Sequence, residues 1–222
     1  MARGQPARKM SQRQRRVRYA ARKLAWGAIL CAILGGVILA GRRGLLGTRP
    51  PSDPEKYGEK TFRVVAVVDG DTLDVDAADV DYPHTRIRLW GVDTPETIKE
   101  DTPVQHFGPE AGRFTKRLCM RQDVRIELDE RQTRDRYGRL LAYVILPDGQ
   151  MLNRRLVAEG YAYADPRYGH KHFGEFRRLQ NEARKARLGL WRQVTKDDLP
   201  YYYRNSLKLP EPDTQPETVH AP

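Results

Sequence analysis

Five short stretches between residues 62 and 146 read as strands, and each is bounded by turn-forming residues. Phe62 to Val68 and Leu73 to Asp76 flank Asp69-Gly70-Asp71, which is hairpin-turn chemistry. Ile87 and Leu89 alternate with Arg86 and Arg88, and Val124, Ile126 and Leu128 alternate with Arg125 and Glu127. A period of two puts one face of a strand in a core and the other in water. Leu140 to Leu146 is a further strand, stopped by Pro147-Asp148-Gly149. Three helices follow from a different spacing. Residues 109–120 begin with Pro109 in the first turn and carry Ala111, Phe114 and Leu118 on one face. Residues 151–159 carry Leu152 and Leu156 and end at Gly160. Residues 173–187 place Phe176, Leu179, Ala183, Ala186 and Leu190 on one stripe. A small β domain with helices packed on it follows. Periodicity alone leaves barrel and sandwich both open.

The charge of the chain is divided unevenly. Residues 1–23 hold nine Lys or Arg and no acid, and Arg42, Arg43 and Arg49 follow without acids. From residue 51 onward there are 28 basic and 29 acidic residues, so the formal +11 belongs to the N-terminus. Any attraction of the domain for a polyanion must come from local arginines rather than a global field. Leu24 to Gly41 contains no charged residue. Eighteen residues at about 1.5 Å each make roughly 27 Å of helix, close to a hydrocarbon core of about 30 Å. The basic stretch before it points to a cytoplasmic N-terminus. A buried core helix and a cleaved signal peptide are the competing readings. The expected organisation is a basic tail (1–23), an anchor or signal (24–41), a linker (42–59), a globular domain (60–192) and a C-terminal extension (193–222) whose Pro-rich end from Leu209 is disordered, with Tyr201-Tyr202-Tyr203 before that end packing back on the domain. Cys31 and Cys119 have no reason to pair, and Cys119 reads as a small buried hydrophobe. His170 and His172 fall in a loop, without zinc spacing.

Three segments carry chemistry: Asp69-Gly70-Asp71-Thr72, Arg88 to Thr97, and Asp135-Arg136-Tyr137-Gly138-Arg139. Each residue has an ordinary reading alone, as a turn acid or a solvent-facing arginine. Together they offer carboxylates at Asp71, Asp93 and Glu96 and guanidiniums at Arg88 and Arg139. A hard cation takes carboxylate oxygens, and a phosphodiester in transition needs positive charge on its oxygens. That set reads as a metal-assisted phosphodiester hydrolase.

The same segments stand in the order and spacing of the thermonuclease (staphylococcal nuclease-like) family. The resemblance covers about residues 60–192 and includes Gly108-Pro109-Glu110-Ala111, Phe114-Thr115-Lys116, Leu141-Ala142-Tyr143 and Leu188-Gly189-Leu190-Trp191. It implies an α+β fold, an OB-fold-like five-stranded β-barrel with three packed helices. It also implies that Asp71 and Asp93 bind Ca²⁺ through carboxylates and Thr94 through its backbone carbonyl, with Asp69 nearby. Glu96 would be the general base or would position the attacking water. Arg88 and Arg139 would serve the transition state, and Arg136, Tyr137 and Tyr168 would hold the nucleotide. The activity implied is an endonuclease on DNA and RNA, single strands preferred, leaving 3′-phosphate ends. Expected partners are nucleic acid and, through the N-terminal segment, an inner membrane, with a monomeric domain in the periplasm or outside the cell, or secreted if the segment is cleaved. Two other classes stand beside this one: a non-catalytic nucleic-acid-binding module and an envelope interaction protein on the same fold.

Overall fold

The computed structural model describes residues 26–36, 38–39, 50–80, 82–97 and 105–209. The basic tail, residues 42–49 of the linker expected at 42–59 and the end of the chain from residue 210 lie outside the described residues. The chain divides into two units, residues 1–50 and 51–222. In the first, residues 26–36 and 38–39 are helical. No helix among the described residues is long and apolar enough to cross a membrane. Leu24, Ala25, Val37, Ala40 and Gly41 of the expected anchor are not among them.

The second unit starts earlier than residue 60. A short helix α1 (Asp53–Tyr57) opens it. Glu55 accepts a hydrogen bond from the Ser52 N–H at 2.7 Å, the reciprocal half of a capping box. Tyr57 is fully buried, and its hydroxyl meets Thr85 Oγ1 at 2.9 Å. Residues 51–59 are therefore part of the folded unit rather than linker. Their polar composition hid the one buried aromatic that docks them.

Five strands close into a barrel: β1 (Thr61–Val67), β2 (Thr72–Val75), β3 (Thr85–Leu89), β5 (Asp123–Leu128) and β6 (Leu140–Ile145), in the order β1-β2-β3-β6-β5. All pairings are antiparallel except β3 with β6. This is the OB-like architecture expected from the family resemblance. Alternation does what it should: Val64, Leu73, Val75, Ile87, Val124 and Ile126 are fully buried inside. Each such side chain contributes about 1.5–3 kcal/mol relative to exposure.

The helices fall where spacing places them: α2 (Gly108–Cys119), α3 (Leu152–Ala158) and α4 (Phe173–Lys185). Cys119 is buried, and burial pushes its thiol up to about 12. One detail of the α4 stripe differs. Phe176 and Ala183 are buried, but Ala186 lies just past the end of the helix and is exposed. Leu190 reaches the core from a 3-10 turn (Gly189–Arg192) instead. Gly160 stops α3 with φ +75°, and a Cβ there would lie 2.3 Å from the Leu188 carbonyl oxygen.

A second, two-stranded sheet pairs β4 (Val92–Asp93) with β7 (Tyr163–Ala164). Two residues give no periodicity to read, so this sheet is absent from the sequence expectations. It matters because β4 carries Asp93.

Candidate active site

The turn between β1 and β2 is built to deliver one carboxylate. The Asp71 N–H donates to Asp69 Oδ1 at 3.1 Å, which tightens the turn. Thr115 Oγ1 of α2 donates to the Gly70 carbonyl at 2.6 Å. A Cβ on Gly70 would lie 2.7 Å from Thr94 Cγ2 and 2.9 Å from Ala111 Cβ, so only glycine lets helix, turn and Thr94 meet. The Asp71 carbonyl accepts from Leu89 N–H at 2.8 Å, fixing the turn to β3.

Asp71 is buried. Its Oδ2 accepts from Thr94 N–H at 2.8 Å and Thr94 Oγ1 at 3.0 Å. Arg88 sits directly across from Thr72 in the β2–β3 register. Its Nη1 lies 3.0 Å from Asp71 Oδ2 and donates to the Val92 carbonyl at 2.8 Å, while Nη2 donates to Asp93 Oδ1 at 2.7 Å. One guanidinium thus joins two carboxylates and the backbone of β4. Asp71, Arg88, Asp93 and Thr94, four of the expected site residues, form one contact cluster.

The electrostatics of the cluster are lopsided. Burial, and then the nearby Asp69 charge, push Asp71 up to about 6 despite Arg88. Burial likewise raises Asp93. Burial alone would lower Arg88, but the carboxylates around it outweigh that and hold it charged. Arg167 Nη2 pairs with Asp165 at 2.7 Å and approaches Asp93 Oδ2 at 3.4 Å. Asp69, Asp71, Asp93 and Asp165 therefore stand against the guanidiniums of Arg88 and Arg167. Unneutralised negative charge in a partly buried oxygen-only set fits a hard divalent cation. Among the described residues no group of three or more His, Cys, Asp or Glu side chains converges as a ready-made metal cage.

Glu96 follows three residues after Asp93. Its N–H donates to Gln105 Oε1 at 2.9 Å, and its carbonyl accepts from Gln105 N–H at 3.0 Å. A Cβ on Gly108 would lie 2.9 Å from the Glu96 carbonyl oxygen and 3.0 Å from that of Pro95. The start of α2 is thus packed directly on the backbone that carries Glu96. Gln105 and Gly108 are positioning residues that the sequence reading did not assign.

Arg139 lies on the connection between β5 and β6. Asp135 accepts from its N–H at 3.0 Å and its Nε at 2.7 Å, and from Tyr137 N–H at 2.9 Å. The parallel register pairs Leu140 with Ile87, so Arg139 enters beside β3 just ahead of Arg88. Arg136 stacks over the Tyr137 ring at 4.7 Å. Tyr137 is 68% exposed and lines a cavity of about 900 Å³ with Tyr82, Arg86 and Arg134. Tyr168 stacks on Trp90 at 5.7 Å, next in sequence to Arg167. The structure groups Arg136, Tyr137 and Arg139 around Asp135, apart in their contacts from the carboxylate cluster.

Residues 86–193 match the family model described as staphylococcal nuclease homologue. A thermonuclease of Staphylococcus hyicus is 45% identical over 134 residues, covering 60% of this chain and 76% of the relative. The chain belongs to the staphylococcal nuclease family. A thermonuclease of Staphylococcus intermedius is 39% identical over 173 residues, 77% of this chain and 98% of that one. A micrococcal nuclease of Shigella flexneri is 35% identical over 153 residues, 65% and 80% of the two chains.

In this member of the staphylococcal nuclease family the scaffold under β4 depends on residues with no motif signal. Asn153, fully buried, donates to the Trp90 carbonyl at 3.0 Å and accepts from Val144 N–H at 3.0 Å. His170 packs so closely on Gly91 that a Cβ there would lie 2.4 Å from its ring. Burial lowers His170 from 6.5 to about 4. The unfolded chain therefore takes up this proton from about pH 6.5 downward, and the folded chain only near pH 4. Stability from this group is present above pH 6.5 and lost as pH falls toward 4, by roughly 3 kcal/mol. Asp71, raised to about 6, acts in the opposite sense over part of that window. Chemical denaturation across pH 4–7 should therefore be compared between wild type and His170→Phe. The wild type should lose more stability toward acid. Identical pH profiles would remove His170 from the account.

Proposed function

We propose that this chain is a Ca²⁺-dependent endonuclease that hydrolyses phosphodiester bonds of DNA and RNA, prefers single strands and leaves 3′-phosphate ends. The observation that carries this reading is the buried Asp71–Arg88–Asp93 cluster with its excess of negative charge, in a chain of the staphylococcal nuclease family. Asp71, Asp93 and the Thr94 carbonyl would hold the cation. When bound, the cation supplies Lewis-acid charge for a phosphoryl oxygen and lowers the pKa of water. The chain's own residues do the rest. Glu96, on its clamped backbone, accepts the proton of the attacking water or orients that water. Arg88 and Arg139 stabilise negative charge as it grows on the phosphoryl and leaving oxygens; the guanidinium fork suits this because it stays charged and donates paired hydrogen bonds. Arg136, Tyr137 and Tyr168 hold the nucleotide, with the two tyrosines as exposed stacking surfaces.

The apolar run Leu24–Gly41 behind its basic flank supports a membrane anchor, with the catalytic unit on the far side from the cytoplasm. One assay tests both proposals. Carbonate-washed membranes from cells making the full chain should cleave single-stranded DNA in Ca²⁺, stop in EGTA, and recover little with Mg²⁺, which demands octahedral geometry and gives up its waters reluctantly. Full activity in Mg²⁺ with none in Ca²⁺ would overturn the metal assignment. DNA bound without cleavage would make the chain a binding module. Activity found wholly in the wash would replace the anchor with a cleaved signal.

A further inference from the structure

The three consecutive tyrosines at 201–203 take no part in the proposed chemistry, yet the structure gives them different tasks. Tyr201 is 70% exposed. Tyr203 is buried and donates to the Ala164 carbonyl at 2.5 Å. Gln180 bridges the same pair, donating to the Tyr203 hydroxyl at 3.1 Å and accepting from Ala164 N–H at 2.8 Å. Ala164 pairs with Val92 in the two-stranded sheet, so Tyr203 anchors this segment to the strand next to β4. Tyr202 reaches β4 itself. Its hydroxyl donates to Asp93 Oδ2 at 2.6 Å, across 109 positions of chain. The Arg167 guanidinium lies 4.5 Å over its ring. Adjacent tyrosines thus grip adjacent strands, one for anchorage and one on a carboxylate. Tyr202 also lies beyond the residues that match the family model.

We infer that Tyr202 is a positioning residue for Asp93: it acts through that carboxylate on cation affinity and does not touch substrate. This rests on the metal reading above. A carboxylate offers about four lone-pair sites. Arg88 takes one on Oδ1 and Tyr202 one on Oδ2, which Arg167 approaches at a longer 3.4 Å. Held at both ends, the carboxylate cannot rotate, and each oxygen keeps acceptor capacity for a cation. The hydroxyl is a neutral donor, so it orients the group without cancelling the charge that attracts the cation. Partners that orient ligating carboxylates typically carry 10–100-fold in metal affinity.

The test is calorimetric titration of Ca²⁺ into the full-length chain and its Tyr202→Phe and Tyr203→Phe variants, with thermal midpoints measured alongside. Tyr202→Phe keeps the ring under Arg167 and removes only the oxygen. It should weaken Ca²⁺ by 10–100-fold, with turnover returning toward wild type at saturating Ca²⁺. Tyr203→Phe should lower the thermal midpoint and leave Ca²⁺ affinity unchanged, which separates anchorage from positioning. Unchanged Ca²⁺ affinity in Tyr202→Phe overturns the inference while the nuclease reading stands. Tighter Ca²⁺ binding or higher activity at limiting Ca²⁺ also overturns it, and makes the segment a cover over the site. A wild type that binds no Ca²⁺ overturns the metal reading, and the inference with it.

Discussion

Arg88→Ala should lower turnover on single-stranded DNA by 10²–10³-fold or more, the loss expected when a preorganised donor to developing charge is removed. It should also destabilise the fold. Arg88 joins Asp71, Asp93 and the Val92 carbonyl, so its loss leaves buried carboxylates facing one another. Breaking one side of such a network costs about 3–5 kcal/mol. Ca²⁺ should recover part of that stability, because the cation replaces the missing charge, but it should not recover turnover. Arg88→Lys keeps the charge without the fork, so it should recover more stability than activity. Urea unfolding with and without Ca²⁺, beside steady-state kinetics, measures both. Turnover within tenfold of wild type would take Arg88 out of the chemistry.

Glu96→Gln should behave differently. General-base assistance contributes typically 10²–10⁴-fold, so turnover should fall by at least about 10²-fold. The Glu96 backbone stays secured by Gln105 and by the close approach of Gly108, neither of which needs the carboxylate. Ca²⁺ affinity should persist. Loss of Ca²⁺ binding in the variant would make Glu96 a ligand, and near-normal turnover would remove it from the mechanism. The contrast between the two variants is the useful readout: Arg88 joins charge and fold, and Glu96→Gln isolates the proton transfer.

The barrel was legible because its strands are long enough to alternate. Ile87 and Leu89 against Arg86 and Arg88 announce both an inner face and the outward arginines in the same five residues. That the sheet closes, with β3 parallel to β6, follows from no local pattern; the family resemblance supplied the barrel. The helices read well where apolar stripes exist, and less well at the end of α4, where Arg187 (φ +51°) and Gly189 turn the chain before the stripe ends. The Asp71, Arg88, Asp93 and Thr94 cluster was legible as a set, from residue types standing in family order. Its supports were not. Asn153, Gln105, Arg167 and Tyr202 act through a few hydrogen bonds or ion pairs at separations that follow no period, from 2 to 109 positions, and one polar residue in a helix or loop carries no pattern. Tyr57 was missed for a similar reason, as one aromatic in a polar stretch.

The closure of the barrel has a consequence for timing. β1 pairs with β5, and β3 with β6, between segments far apart in the chain, and such pairings form late because the loop must close before contacts reward it. Asp71 and Arg88 meet within the local β1-β2-β3 run of antiparallel strands, whereas Asp93 gains its last partner only from residue 202. A chain that has not yet reached residue 202 can bring Asp71 and Arg88 together but leaves Asp93 without its Tyr202 hydrogen bond. On the metal reading proposed above, full cation affinity would therefore arrive only with the last part of the folded unit.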